Sequence, residues 1–175
     1  MEPPSDALLQ RLQDWRLCRP ADLRRARGRV RQLARDLPAF DSVWIDALVQ
    51  VGCLTPFQAR VLESPASEQL LVGEYLLQDE LGHGRWTRSW LAKPTTSTSL
   101  VVVKRITAPR ETAAEVAQRG RELVRKSAGI AKSGCVLPSA CWEDANGFYL
   151  VAPFISGTPL SELLVRRGRF PAQVV

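Results

Sequence analysis

Apolar residues recur at helical spacing through the first third of the chain and then change to alternation. Leu8, Leu9, Leu12 and Trp15 predict a helix from Asp6 to about Leu17. Leu23, Ala26, Val30, Leu33 and Leu37 form a second stripe, entered after Pro20 and closed by Pro38. Ser42 to Val51 predicts a third helix, with Gly52 as its stop. A short fourth helix follows. Thr55 suits the N-cap, Pro56 the first helical position, and Gln58 completes a capping box. Ser64-Pro65 ends it.

Beyond Ser64 the pattern becomes that of strands. Ser64 to Gln69 is small and polar and reads as a linker. Glu74 to Leu81, Arg88 to Lys93 and the β-branched run Leu100 to Ile106 are predicted strands, with a Thr/Ser-rich loop at Pro94 to Ser99. Thr112 to Lys126 predicts a helix with Thr112 and Glu115 as a second capping box, and Gly120 weakens it by about 1 kcal/mol relative to Ala. Val136 to Trp142 and Phe148 to Phe154 predict two strands joined by a turn at Asp144-Ala145-Asn146-Gly147, where Asn-Gly favours a hairpin. A last helix starts near Pro159-Leu160. The expected class is α+β: a helical domain over 1–63, a linker over 64–71, and a sheet-containing unit over 72–175.

Hydrophobic residues make up 45% and charged residues 24%, the balance of a globular chain. No apolar run is long enough to cross a bilayer, and the N-terminus lacks a basic-then-apolar signal, so a cytoplasmic protein is expected. Cys18, Cys53, Cys135 and Cys141 contain no CxxC spacing, and His83 is the only histidine. That argues against a zinc site and against a Cys-His nucleophile. The net charge of +6 is carried largely by arginines, which crowd Arg11 to Arg35. Asp14, Asp22 and Asp36 interrupt them and no recognition motif accompanies them. A solvated helix face is therefore expected, rather than a nucleic-acid site.

The chemistry concentrates in Leu81-Gly82-His83-Gly84-Arg85-Trp86-Thr87-Arg88-Ser89-Trp90 and in Val101-Val102-Val103-Lys104. These read as a strand, a glycine turn, a second strand, and a third strand carrying a lysine. Side chains alternate on a strand, so Lys104 shares a face with Val102 and Ile106. A lysine in an apolar run needs a partner when buried. The alternative is an edge lysine in water, which discourages aggregation.

The order strand, Gly-loop, strand, strand, helix, strand, strand resembles the small N-terminal lobe of a eukaryotic-like Ser/Thr protein kinase, over about Val72 to Val175. Leu54-Thr55-Pro56-Phe57-Gln58-Ala59 ahead of Gly73-Glu74-Tyr75 resembles the start of planctomycete-type bacterial kinases, where a small helical domain precedes the kinase. The resemblance implies a five-stranded antiparallel sheet plus one helix. It also implies ATP as cofactor, with Mg only where a large lobe is supplied elsewhere.

Within the family's G-x-G-x-x-G-x-V loop, Gly82 and Gly84 match, while Thr87 and Ser89 replace the third glycine and the valine. By the resemblance Leu81, Gly82, His83, Gly84, Arg85, Trp86, Thr87 and Ser89 cover the nucleotide. Lys104 would meet the α/β-phosphates. Val102, in place of the usual alanine, would lie against adenine. Glu122, eighteen residues after Lys104, would be the helix partner of the lysine. It equally suits a surface pair with Lys126 at i+4. Tyr149 to Gly157 resembles the strand into the hinge, with Ala152 as gatekeeper and Pro153 and Ile155 offering backbone contacts to adenine. His83, at the loop tip, reads as an exposed residue with no catalytic role.

The family catalyses through H-R-D and D-F-G motifs, and neither occurs in these 175 residues. No metal ligands are evident. The expectation is therefore an ATP-binding small lobe, truncated before the large lobe and inactive in phosphoryl transfer by itself. It would need a protein partner or the missing lobe. The competing expectation is a degenerate, pseudokinase-like module that binds protein and no nucleotide.

Overall fold

A computed structural model describes residues 2–35, 38, 40–65, 68–130 and 134–169. Asp36 and Leu37 of the second stripe, 66–67 of the predicted linker and 170–175 of the predicted lobe lie outside them. Four helices come first: α1 (Asp6–Asp14), α2 (Pro20–Ala34), α3 (Asp41–Gln50) and α4 (Pro56–Glu63). The rest is an antiparallel sheet of β1 (Leu71–Val72), β2 (Tyr75–His83), β3 (Thr87–Pro94), β4 (Val101–Ile106), β5 (Ala140–Asp144) and β6 (Gly147–Pro153), with α5 (Arg110–Ser127) and α6 (Leu160–Arg167). The class is α+β, a helical start followed by a sheet.

The helices follow their stripes, with corrections at the ends. Ser5 caps α1, its hydroxyl accepting from the Leu8 amide at 3.1 Å. That helix stops at Asp14 rather than Leu17. Arg16 takes a left-handed conformation (φ 52°), which turns the chain ahead of Pro20. The box predicted at α4 is present, with Thr55 accepting from the Gln58 amide and the Gln58 side chain accepting from the Thr55 amide. The box predicted at Thr112 is not. Pro109 starts α5 two residues earlier, the Thr112 hydroxyl donates to the Pro109 carbonyl, and Glu115 pairs with Arg119 at 2.6 Å.

The sheet has six strands, in the order β1-β2-β3-β4-β6-β5, where five were expected. The extra strand is β1, at the end of the predicted linker. Leu71 pairs with Leu76 and Val72 with Tyr75, and Leu70 beside them is fully buried. Its two-residue length gives alternation no room to show. The strand predicted from Val136 begins only at Ala140, since Pro138 offers no ladder donor and Val136 is exposed. The hairpin at Asp144–Gly147 is as predicted. Gly147 (φ 141°) lies where a Cβ would meet the Ile106 carbonyl oxygen at 2.7 Å.

The sheet curls so that Tyr75 of β2 meets Trp142 of β5, and it joins the helices where α4 packs on β2. Trp90, Ala92, Val103, Tyr149 and Val151 are buried in the same apolar cluster as Leu8, Leu12, Val30, Leu48 and Leu62. Gln58 fastens the contact. It is 2% exposed, and its Nε2 donates to the Leu77 carbonyl at 2.7 Å, while the Thr55 hydroxyl donates to the Gln78 carbonyl at 2.7 Å. Tyr75, Trp142 and Tyr149 stack in series across β2, β5 and β6, with centroids 5.5 and 4.6 Å apart.

The helix α5 crosses the opposite face at its Phe148 end. Gly120 permits this approach, because a Cβ there would lie 2.2 Å from Phe148 Cε1. Arg121 pairs with Glu143 at 2.6 Å and the Ser127 hydroxyl donates to the Pro138 carbonyl at 2.7 Å, fixing the helix along β5.

Two glycine substitutions should therefore have opposite signs. Gly120→Ala overpacks against Phe148 and should destabilise by about 1–3 kcal/mol. Gly28→Ala in α2, where nothing lies within 4 Å of the added Cβ, should stabilise by about 0.5–1 kcal/mol. Urea denaturation of the two variants checks both signs.

Candidate functional site

Strand register decides which predicted residues share a surface. Ser89 lies opposite Lys104, and Lys104 opposite Leu150. In the next row Leu91 lies opposite Val102, and Val102 opposite Ala152. Val103, Trp90 and Val151 form the intervening row and are buried on the concave side of the curled sheet. Ser89, Val102, Lys104 and Ala152 therefore stand together on one face of the sheet, with α4 beside Leu91 at its β2 end. Lys104 is exposed, and Ser89, Val102 and Ala152 are half-buried. Pro153 and the 64%-exposed Ile155 follow at the open end of β6.

The glycine turn closes the β2–β3 hairpin at the edge of this face. Register shifts between Leu77 and Asp79 and between Glu80 and Gly82 bend the strand before the turn. Gly82 pairs with Ser89 and His83 with Arg88. Gly84 donates its amide to the Thr87 carbonyl at 2.7 Å, and a Cβ on Gly84 would meet the Thr87 hydroxyl at 3.2 Å. Thr87, in the third-glycine position, thus packs back on the turn. Leu81 and Trp86 at the tip are each nearly half exposed, and the Arg85 guanidinium lies 4.9 Å from the Trp86 ring centroid. His83 is exposed, 3.4 Å from Glu80.

The structure does not bring Glu122 to Lys104. Glu122 pairs with Lys126 at 2.7 Å, and that ammonium lowers the pKa of its carboxyl. Among the described residues no ion pair or hydrogen bond engages the Lys104 ammonium. Of the two arrangements open for Glu122, the structure has the helical i+4 pair.

A charge network under the hairpin escaped sequence reasoning. Arg88 bridges Glu80, at 2.8 Å, and Glu68. Its guanidinium lies 5.1 Å from the Trp90 ring centroid, and that of Arg105 lies 5.3 Å away. Glu68 and Arg88 are twenty residues apart and no local pattern links them. Only the pairing of Arg88 beside Glu80 across the hairpin could have been inferred from strand register. The cysteines are unpaired, and burial pushes the Cys18 thiol up to about 12. Among the described residues no cluster of His, Cys, Asp or Glu could hold a metal ion. Nor is any helix there long and apolar enough to cross a membrane.

The Glu80–Arg88 pair makes a pH-dependent contribution. The Arg88 hydrogen bond holds the Glu80 carboxyl below the ordinary value of 4.5, against an opposing effect of burial, and the smaller influence of His83 acts in the same direction as Arg88. A depressed folded-state pKa stabilises above 4.5, and that contribution is lost as pH falls through the lowered value. Urea midpoints at pH 7 and pH 3 should show a larger acid loss in the parent protein than in Glu80→Gln.

Comparison with protein-family models gave no match, and neither did comparison with curated proteins.

Proposed function

We propose that the sheet and α5 form a nucleotide-binding small lobe of the Ser/Thr protein kinase type, with ATP held on the face bearing Lys104. One observation carries this reading. Lys104, Val102, Ala152 and Ser89 are adjacent on one face of the sheet, and the Gly82–Thr87 turn stands at its edge. An exposed ammonium beside half-buried apolar side chains suits a ligand with phosphates at one end and a flat base at the other. Lys104 is the phosphate contact, and Val102 and Ala152 line the base. Pro153 and Ile155 supply backbone groups at the open end. Phosphoryl transfer requires a substrate-orienting aspartate and metal ligands, which the H-R-D and D-F-G motifs supply in that family. This stretch has neither motif, so the proposed activity is binding. A large lobe or another protein would complete it.

A second reading, a kinase-derived protein-binding module without nucleotide, has its own support. Glu122 is committed to Lys126, and the Gly84 amide is already committed to the Thr87 carbonyl and is not free for a phosphate.

Calorimetric titration with Mg-ATP separates the two. The first reading expects saturable binding that weakens at least tenfold in Lys104→Ala, a loss of about 1.4 kcal/mol or more. Absence of binding to the parent protein, or equal binding by both, favours the second.

A further inference from the structure

The arginine-rich helix has no part in that site. Arg24, Arg27 and Arg31 lie along one side of α2 at i, i+3 and i+7. All three are exposed, and none takes part in an ion pair among the described residues. Their neighbours differ: Arg25 pairs with Asp22, and Arg29 bonds Gln50 and Gln32. The unpaired side borders a groove of about 400 Å³ between α2, α1 and the start of the chain. Pro3, Pro4, Leu9, Leu23 and Trp44 line it together with Arg27 and Arg31. The Trp44 indole N–H is already spent on the Glu2 carbonyl at 3.3 Å, so its contribution to the groove is apolar.

We propose that this groove docks an acidic segment of a partner protein, with one bulky apolar side chain in the cleft and flanking carboxylates on Arg27 and Arg31. Charge complementarity selects the carboxylates. Two guanidiniums with no ion pair among the described residues, set on an apolar cleft, gain charge-assisted hydrogen bonds on binding and break no pair made there. The cleft selects protein over nucleic acid. Trp44 is only 2% exposed and offers no ring face for a base to stack on. A phosphate backbone would leave the apolar lining unfilled. The site lies on α1 and α2, apart from the Lys104 face, and does not depend on nucleotide binding.

Fluorescence anisotropy on the full chain tests this with a labelled peptide that has one central phenylalanine between two pairs of glutamates. Saturable binding is expected. It should weaken at least about fivefold between 50 and 300 mM salt, as screening shortens the reach of the charges. The double variant Arg27→Glu/Arg31→Glu should lose at least tenfold in affinity while keeping its circular dichroism. Arg27→Lys/Arg31→Lys, which retains the charge, should stay within about threefold. Replacing the peptide phenylalanine by alanine should weaken binding at least fivefold. No saturable binding overturns the proposal. So does equal binding of the alanine peptide, and so does an arginine-dependent preference for a 20-base-pair DNA duplex over the peptide.

Discussion

The arrangement rests on how α4 grips β2. Among the described residues Gln58 is the one buried polar side chain in the helix–sheet contact, and its hydrogen bonds are made with groups that would otherwise be costly to bury. The amide side chain accepts from Thr55 and donates to Leu77, while the Thr55 hydroxyl reaches Gln78. A capping box thereby becomes a joint between helix and strand. It fastens β2 to the helical bundle, and the curl that brings Tyr75 onto Trp142 encloses the Trp90, Val103 and Val151 row as core. The Lys104 row then has to face outward, because adjacent strand positions point to opposite sides.

What lies on the outward face follows from that constraint. The α5 helix covers only its Phe148 end, where Gly120 lets the ring approach the helix backbone. Elsewhere Leu123, Ile130, Leu160, Leu164 and Ile155 are all substantially exposed, and α6 buries none of its side chains. The helical side carries polar attachment in the form of Arg24, Arg27 and Arg31. The sheet thus has an apolar and cationic face at Lys104, while the helices present a separate basic groove.

Much of this was legible in the sequence because it is local. Periodic leucines gave α1 and α2, Thr55-Pro56-Phe57-Gln58 gave the start of α4 with its cap, and Asn146-Gly147 gave the β5–β6 turn. Lys104, Val102 and Ala152 could be placed on one face from period two alone, once β4 and β6 were paired. The failures were of another kind. Two residues of β1 are too few to show alternation. The capping box at Thr112 met every local requirement, yet Pro109 set the helix start first. Glu122 had two eligible partners, and the sequence could not choose between a neighbour one turn away and a lysine on another element. The Glu68–Arg88–Glu80 network joins a segment before β1 to the β2–β3 hairpin and required the fold itself.

The central claim is one of location: the face bearing Lys104 is the ligand face, and the aromatic face is structural. Mapping amide chemical-shift changes on addition of a non-hydrolysable Mg-ATP analogue tests it most directly. The account predicts that the changes concentrate on Gly82 to Ser89, Val102, Lys104, Leu150 and Ala152. Changes centred on Tyr75, Trp142 and Tyr149, or on α2, would contradict it, as would a spectrum that does not change at all.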